Sequence, residues 1–292
     1  MRITLTGGTG FIGRELVRQL KARGDEVRLL SRGRPPYQWD PLSGPPPREA
    51  LDGAEAVVHL AGETVSQYWT SSAKKRIRDS RTKGTQNLVL GLSRMAAPPR
   101  VLVAASAVGF YGGRGDEILD ESSLPGTGFL PEVCQEWEDA SNSAARLGIR
   151  VVTKRTGVVL HPSGGALSKM LLPFKLGLGG AFGSGRQWMP WIHLADQIGI
   201  ILYSIDNGAL VGPVNAAAPN PVTNREFVWS LARALHRPAI LPVPAFALRL
   251  VLGEMSEIVL ASQRVLPRAL LQSGYQFRFP DLDSALADLL QS

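Results

Sequence analysis

A doubly wound parallel α/β sheet with a smaller, mostly helical C-terminal cap is the fold class this sequence predicts. Three observations carry the prediction. Short apolar runs alternate with helical periodicity through the first half of the chain. A glycine-rich turn joins the first strand to the first helix. The alternation breaks after Thr156, where glycines crowd and helical patterning takes over.

The elements follow in order. Arg2 to Thr6 alternates around Ile3 and Leu5, as a short strand does. From Phe11 to Arg23, Ile12, Leu16, Val17 and Leu20 fall at helical spacing, and Gly24 stops the helix. Glu26 to Ser31 is the second strand, which completes one β-α-β unit. Gly33 to Pro47 carries six prolines, Pro35 among them, and is a loop. Ala56 to Leu60 is the third strand, Ser71 to Met95 a long helix, and Val101 to Ala105 a fourth strand. The last is apolar throughout, which implies burial on both faces. Leu130 to Arg146 reads as helical, Arg150 to Lys154 as the fifth strand, and Val151 to Leu160 as its continuation toward the site.

Beyond Thr156 a helix is expected over Ala166 to Leu176, an extended piece over Trp191 to His193, and a helix over Leu194 to Ile205. A strand over Pro213 to Ala217 and a helix from Asn224 to Leu235, capped by Thr223, come next. The remainder reads as mostly helical. Residues 1–160 are therefore expected to form the dinucleotide domain, with 191–217 returning to it. Residues 161–190 and 218–292 form the substrate-side cap.

Composition narrows the class. With 44% hydrophobic and 20% charged residues, the 292-residue chain is globular, not disordered. Its single cysteine, Cys134, excludes a disulfide framework and a Cys-rich metal site, and no metal is expected. No run of about 20 apolar residues suggests a membrane span, and no signal peptide is expected before a turn that begins at residue 7. The expected compartment is the cytoplasm. The net charge of +7 is spread along the chain, with small clusters at Lys74-Lys75-Arg76 and Arg78–Arg81. A solvated basic face or an attraction for anionic substrates fits this better than nucleic acid, because aromatic interleaving and nucleic-acid motifs are absent. A small-molecule substrate is the expected partner, a homodimer an open possibility.

The glycine turn is the strongest functional signal. Gly7, Gly8, Gly10 and Gly13 fit Gly7-x-x-Gly10-x-x-Gly13 and Gly8-x-Gly10-x-x-Gly13. Glycine permits the tight strand-to-helix turn and a close approach to a pyrophosphate, and the helix N-terminus offers free N–H groups and a positive dipole end. This is the Rossmann arrangement for a dinucleotide, with Gly7, Thr9, Gly10, Phe11, Ile12 and Gly13 at the cofactor. The second strand ends at Ser31-Arg32, where an acidic residue would accept from a ribose 2′-OH. Arg32 pairs instead with a 2′-phosphate, which favours NADP(H) over NAD(H).

These residues, with His59-Leu60-Ala61-Gly62, Gly84-Thr85-Gln86-Asn87-Leu88 and His193-Leu194-Ala195-Asp196, resemble the extended short-chain dehydrogenase/reductase superfamily, which includes nucleotide-sugar epimerases. Leu30-Ser31-Arg32, Ala61-Gly62-Glu63, Ser80-Arg81, Trp137-Glu138, the run from Leu171 to Gly180 and Pro190-Trp191-Ile192-His193 resemble an epimerase-like subgroup of NADP-binding oxidoreductases with a C-terminal helical domain. Some members of that subgroup are named cell-division inhibitors. The resemblance implies NADP contacts at Ser31, Arg32, Leu60, Ala61, Gly62 and Arg81. Glu63 is expected to line the cleft and Val159 to wall the nicotinamide.

Reductases of this superfamily use Ser, Tyr and Lys, with Tyr and Lys four apart. Counted back from Trp137-Glu138, those two positions fall on Leu130 and Cys134, and neither transfers a proton from a fixed positive charge. Ser106 matches the family's serine. Tyr111 sits at the superfamily's other common tyrosine, with packing weighed above catalysis. His193 is expected to anchor the cap strand, Arg155 to contact an anionic substrate or form an ion pair. The segment Gly177–Gly185 with Trp188 and Trp191 is expected either to close over substrate or to be a compact connection. Two readings follow: an NADP(H)-dependent epimerase-like oxidoreductase with an atypical proton donor, or a catalytically silent NADP(H)-binding sensor or regulatory protein, such as a cell-division-related factor.

Overall fold

The computed structural model describes residues 1–33 and 36–290. Pro35 of the proline loop and residues 291–292, counted in the cap, lie outside the described residues. The first half contains β1 (Arg2–Thr6), α1 (Phe11–Ala22), β2 (Glu26–Leu30), α2 (Arg48–Leu51), β3 (Ala56–His59), α3 (Ser71–Ser93), β4 (Val101–Ala107), β5 (Ile118–Leu119) and α4 (Phe129–Asn142). Next come β6 (Arg150–Thr156), β7 (Val158–His161), α5 (Gly165–Lys175), β8 (Trp188–Met189), β9 (Trp191–His193), α6 (Leu194–Asp206) and β10 (Gly212–Ala216). The chain continues through β11 (Val222–Thr223), α7 (Asn224–Ala234), α8 (Ala245–Leu252), α9 (Ser256–Leu260), β12 (Arg264–Val265), α10 (Arg268–Gln272) and α11 (Leu282–Leu290).

Six strands form one sheet in the order β2-β1-β3-β4-β6-β10, and every neighbouring pair is parallel. Their side chains alternate between two cores. Ile3, Leu5, Val58, Val103, Val152 and Val214 face Leu16 and Leu20 of α1, Ile198 and Ile201 of α6 and Leu270 of α10. Val57, Leu102, Ala104 and Val151 face the other way, onto Leu51, Leu88, Leu92 and Trp39. Helices on both faces make this a doubly wound sheet, as the apolar run in β4 implies. The chain leaves β1 toward β2 on one side and places β3 on the other, so the sheet order reverses between β1 and β3. Ligands of such sheets bind outside the carboxyl ends of the strands at that reversal.

A separate core joins the later elements. Leu160, Leu167, Phe174, Trp191, Phe227, Leu231, Phe279, Leu286 and Leu289 pack together, so Trp191 is a core residue and not a stacking surface. Thr223 caps α7 with a full capping box: its Oγ1 accepts from Glu226 N–H while Glu226 Oε2 accepts from Thr223 N–H at 2.7 Å. His193 caps α6 through Nδ1, which accepts from Ala195 N–H at 3.0 Å, and its ring lies 4.0 Å from that of Phe279. Asp196 accepts from the backbone N–H groups of Arg278 and Phe279 at 2.7 and 2.9 Å. The start of α6 thereby holds the C-terminal segment in place.

Three expectations need correction. The strand read as Val151–Leu160 breaks at Gly157, where a Cβ would stand 2.8 Å from the Pro190 carbonyl oxygen. Past the break, β7 leaves the sheet and pairs with β9, so Val159 belongs to a small separate ladder. The fourth helix ends at Asn142 and tightens into a 3₁₀ turn over Ser143–Leu147. The C-terminal remainder consists of short helices joined by extended chain, with β12 pairing β5. Finally, α2 and the two-residue strands, too short to show a period, escape sequence reading.

Candidate functional site

The glycine turn meets the chain leaving β3. Gly7 has φ +72°, and a Cβ there would lie 2.7 Å from the Leu60 carbonyl carbon. A Cβ on Gly13 would lie 2.2 Å from Gly7 O. Only glycine permits both the turn and this approach. No side chain caps α1 at its N-cap residue Gly10, which leaves the first-turn N–H groups facing the sheet reversal. Thr9 is exposed in the turn. Phe11 and Ile12 pack on the main core beside Leu60 and Val159, and the Phe11 ring fills the space a side chain would need at Gly164.

A buried polar chain fixes the two lips of this crevice. Thr6 Oγ1 accepts from Ala61 N–H at 3.1 Å and lies 2.7 Å from His59 Nδ1, while His59 Nε2 lies 3.0 Å from Thr85 Oγ1. His59 is fully buried, and desolvation pushes its pKa down to about 4, so it stays neutral. Sequence reasoning quoted His59 and Thr85 in motifs without giving them a role. For His59 the signal was a polar residue inside an otherwise apolar strand; Thr85, in the polar run Thr82–Asn87, carried none.

Around the crevice, Ser31 pairs with Gln38 in an isolated bridge, and Trp39 N–H donates to the Ser31 carbonyl. Arg32 is exposed two residues beyond β2 and makes no hydrogen bond or ion pair among the described residues. Arg81 lies under the lip: its Nη1 donates to the carbonyls of Glu63 and Ile77 at 2.9 and 3.1 Å, and its guanidinium stacks 5.0 Å from the Trp137 ring centroid. The space beside Gly62 opens onto that guanidinium, 3.4 Å away. Glu63 is half-buried, with its N–H donating to Ser80 Oγ. The basic run on α3 is paired: Lys74 with Glu254, Lys75 with Asp79, and Arg78 with Glu132. The first of these, with Lys169 against Ser66, ties later elements to the segment after β3.

At the end of β4, Ser106 Oγ donates to Glu138 Oε1 at 2.6 Å. Arg155 clamps Glu138 with two bonds, Nε to Oε1 at 2.9 Å and Nη2 to Oε2 at 2.8 Å, and both side chains are buried. Arg155 is therefore an ion-pair residue. Its Nη1 donates to Tyr111 Oη at 3.0 Å, and its guanidinium lies 3.5 Å from the Phe110 ring centroid. Tyr111 has no exposed surface, and its hydroxyl is 2.9 Å from the Asp120 carbonyl and 2.7 Å from Asn215 Oδ1. Burial pushes its pKa up to about 12. Of the two roles weighed for Tyr111, packing is the one its surroundings match: it is a member of a polar network sealed by the core of Val108, Phe110, Leu119 and Val265.

Leu130 and Cys134 stand against Gly109, 3.5 and 3.8 Å from where its Cβ would be. Cys134 is buried, and desolvation pushes its thiol up to about 12. No tyrosine in the chain has a lysine four residues on. Among the described residues no cluster suited to a metal ion occurs, and no helix is long and apolar enough to cross a membrane.

A Rossmann sheet whose reversal carries a glycine turn defines a dinucleotide-binding protein. The chain belongs to the NAD dependent epimerase/dehydratase family, whose model matches residues 3–217. Residues 243–289 match a domain of unknown function, DUF1731. The epimerase family protein SDR39U1 of Homo sapiens is 38% identical over 300 residues, covering 99% of this chain and all of the relative. YfhF of Bacillus subtilis is 38% identical, covering 99% and 98%. The crystal structure of human SDR39U1 (isoform 2) with NADPH superposes with a TM-score of 0.92 at 38% identity and full coverage of both chains. A nucleoside-diphosphate sugar epimerase from Corynebacterium glutamicum gives a TM-score of 0.84 at 38% identity, covering 99% of this chain and 58% of that one.

Proposed function

We propose that this protein is an NADP(H)-dependent oxidoreductase of the epimerase type acting on a small molecule, with a Ser106–Glu138 pair in place of the Tyr-x-x-x-Lys dyad. The observation that carries the cofactor half is the contact of Gly7 with Leu60, flanked by the exposed Arg32. Thr9, Gly10, Phe11, Ile12 and Gly13 would cradle the pyrophosphate, with Ser31 and Arg32 at the 2′-phosphate. Leu60, Ala61, Gly62, Glu63 and Arg81 would wall the adenosine ribose, and Val159 the nicotinamide. The human relative crystallised with NADPH supports the choice of cofactor. Residues 161–190 and 218–292 would supply the substrate side, apart from α10, whose Leu270 joins the main core.

When bound, NADP(H) supplies or accepts a hydride. The proton falls to the chain's own residues. Glu138, clamped in place by the two Arg155 bonds, accepts the Ser106 hydrogen and leaves the Oγ lone pairs to face substrate. Ser106 is then placed to take a proton from a substrate hydroxyl while its own proton passes to Glu138, and reduction runs the transfer in reverse. Tyr111 acts by holding Arg155. Incubating the purified protein with NADPH and a panel of ketones and aldehydes, while following loss of reduced nicotinamide, tests this reading. Turnover with at least one carbonyl, lost in Ser106→Ala, is expected; silence across the panel with cofactor bound contradicts it.

The apolar face made by Leu130 and Cys134 favours a second reading, an NADP(H)-binding regulatory protein without turnover. It predicts a partner captured only in the presence of NADPH.

A further inference from the structure

We propose that the protein pairs with a second copy of itself through an apolar strip on the cap, built by the chain after α5 and by α8. Backbone pairing sets up the strip. Leu241 N–H donates to the Gly179 carbonyl at 3.2 Å, and Val243 N–H to the Ala181 carbonyl at 2.9 Å. The Val243 carbonyl accepts from Gly183 N–H at 2.9 Å, and Arg237 Nε donates to the Lys175 carbonyl at 3.1 Å. Residues 175–183 and 237–243 therefore run side by side, and the second stretch leads into α8.

The strip lacks the cover its composition calls for. Every residue of α8 except Arg249 is apolar, yet Leu248 is its one buried residue. A helix apolar on all sides belongs inside a core. Leu250 is instead 84% exposed and Phe246 71%, while Ile240 ahead of the helix is 77% exposed. Leu176, Leu178 and Val251 are also more than half exposed. Six such side chains present on the order of 800 Å². That exceeds the roughly 300–600 Å² of the largest apolar patch on a typical monomer, and it matches what each partner of a stable interface buries.

Charge decides the occupant. Arg249 stands next to Leu250, and Glu257 lies exposed on α9, which packs against α8. Neither side chain makes an ion pair or hydrogen bond among the described residues. The same surface thus carries both signs. A two-fold pairing sets a patch against itself, so that each residue meets its counterpart twice. It lays Arg249 of each copy on Glu257 of the partner subunit and closes two ion pairs beside the apolar strip. An anionic surface of another kind would be met by Arg249 and repelled by Glu257.

Sedimentation velocity of the full chain over a concentration series tests the pairing. A dimer is expected at about 100 µM, above the micromolar-to-picomolar range of interfaces of this size. Replacing both Phe246 and Leu250 by Gln should weaken it at least about 30-fold, with the circular dichroism spectrum unchanged because both side chains point into solvent. Leu90→Gln, at an exposed leucine on α3, should leave it intact. Arg249→Glu should weaken the dimer about tenfold or more, since the substitution acts twice across a two-fold interface. Adding Glu257→Arg to that variant should restore it. A monomer at every concentration overturns the proposal, and so does a monomer that cosediments with vesicles of phosphatidylglycerol and phosphatidylcholine. A dimer indifferent to the paired Gln substitutions places the interface elsewhere and also overturns it. Failure of the second charge reversal to rescue the first overturns the two-fold arrangement.

Discussion

Ser106 Oγ donates to Glu138 Oε1 at 2.6 Å, and Glu138 stands one helical turn beyond Cys134 and two beyond Leu130 on the same face of α4. The face that carries a tyrosine and a lysine in related reductases is apolar for two turns here. Its first polar group is a carboxylate, which already holds the serine. Replacing Ser106 by Ala should leave NADPH affinity unchanged and lower turnover by roughly 100-fold, the usual scale of a lost acid–base group. Steady-state rates and a cofactor titration on one preparation separate the two effects.

Glu138→Gln should cost stability as well as activity. It leaves the buried Arg155 guanidinium without a counter-charge, which costs about 3–5 kcal/mol. A urea melt with an unchanged slope and a lower midpoint is the expected outcome.

Gly13→Ala should abolish dinucleotide binding while the sheet still folds. The new methyl would sit 2.2 Å from Gly7 O, in the backbone of the turn itself. Circular dichroism close to wild type, with loss of NADPH fluorescence enhancement, is the expected pair of observations.

His59 makes the fold acid-sensitive. Its pKa falls from 6.5 to about 4 on burial, so the unfolded chain binds the proton more readily than the folded one. Stability is fully present above pH 6.5 and is lost as the pH falls toward 4, by about 3 kcal/mol in all. His59→Gln should flatten that part of a stability–pH curve, measured by denaturant melts.

Lys154 sets a penalty of the opposite kind. It is fully buried in β6, its Nζ has no partner among the described residues, and desolvation pushes its pKa down to about 7. The unfolded chain holds this proton up to pH 10.5, so folding releases it at neutral pH and stability rises between pH 7 and 10.5. Lys154→Met, close in volume, should stabilise the fold by about 4 kcal/mol at and below pH 7, with the gain fading toward pH 10.5. Thermal melts across that range measure it.

The sheet, its glycine turn and the cation at Arg32 in place of an acidic residue are legible in the sequence because each rests on local signals: period-two and period-3.6 patterning, a glycine spacing and a strand end. The Ser106–Glu138–Arg155–Tyr111 network is not, because its members lie on β4, α4, β6 and the turn after β4. Only the packing of the sheet on α4 brings them together. For the same reason the sequence reads Val159 as part of a sheet strand. At the break, Gly157 packs against the Pro190 backbone and Val158 N–H donates to the Pro190 carbonyl, a contact more than thirty residues further along the chain. Thr6, His59 and Thr85 were visible as residues, but their joint task of holding the crevice needed the register of β1 with β3.

The most direct measurement is a calorimetric titration of the purified protein with NADPH and with NADH, repeated on Arg32→Asp. NADPH binding at least about tenfold tighter than NADH is expected, since one charge-assisted phosphate contact is worth about 1.5–3 kcal/mol, and Arg32→Asp should erase that preference. Equal affinities in the unaltered protein, or no binding of either dinucleotide, would contradict the assignment of an NADP(H) site to the Gly7–Leu60 crevice.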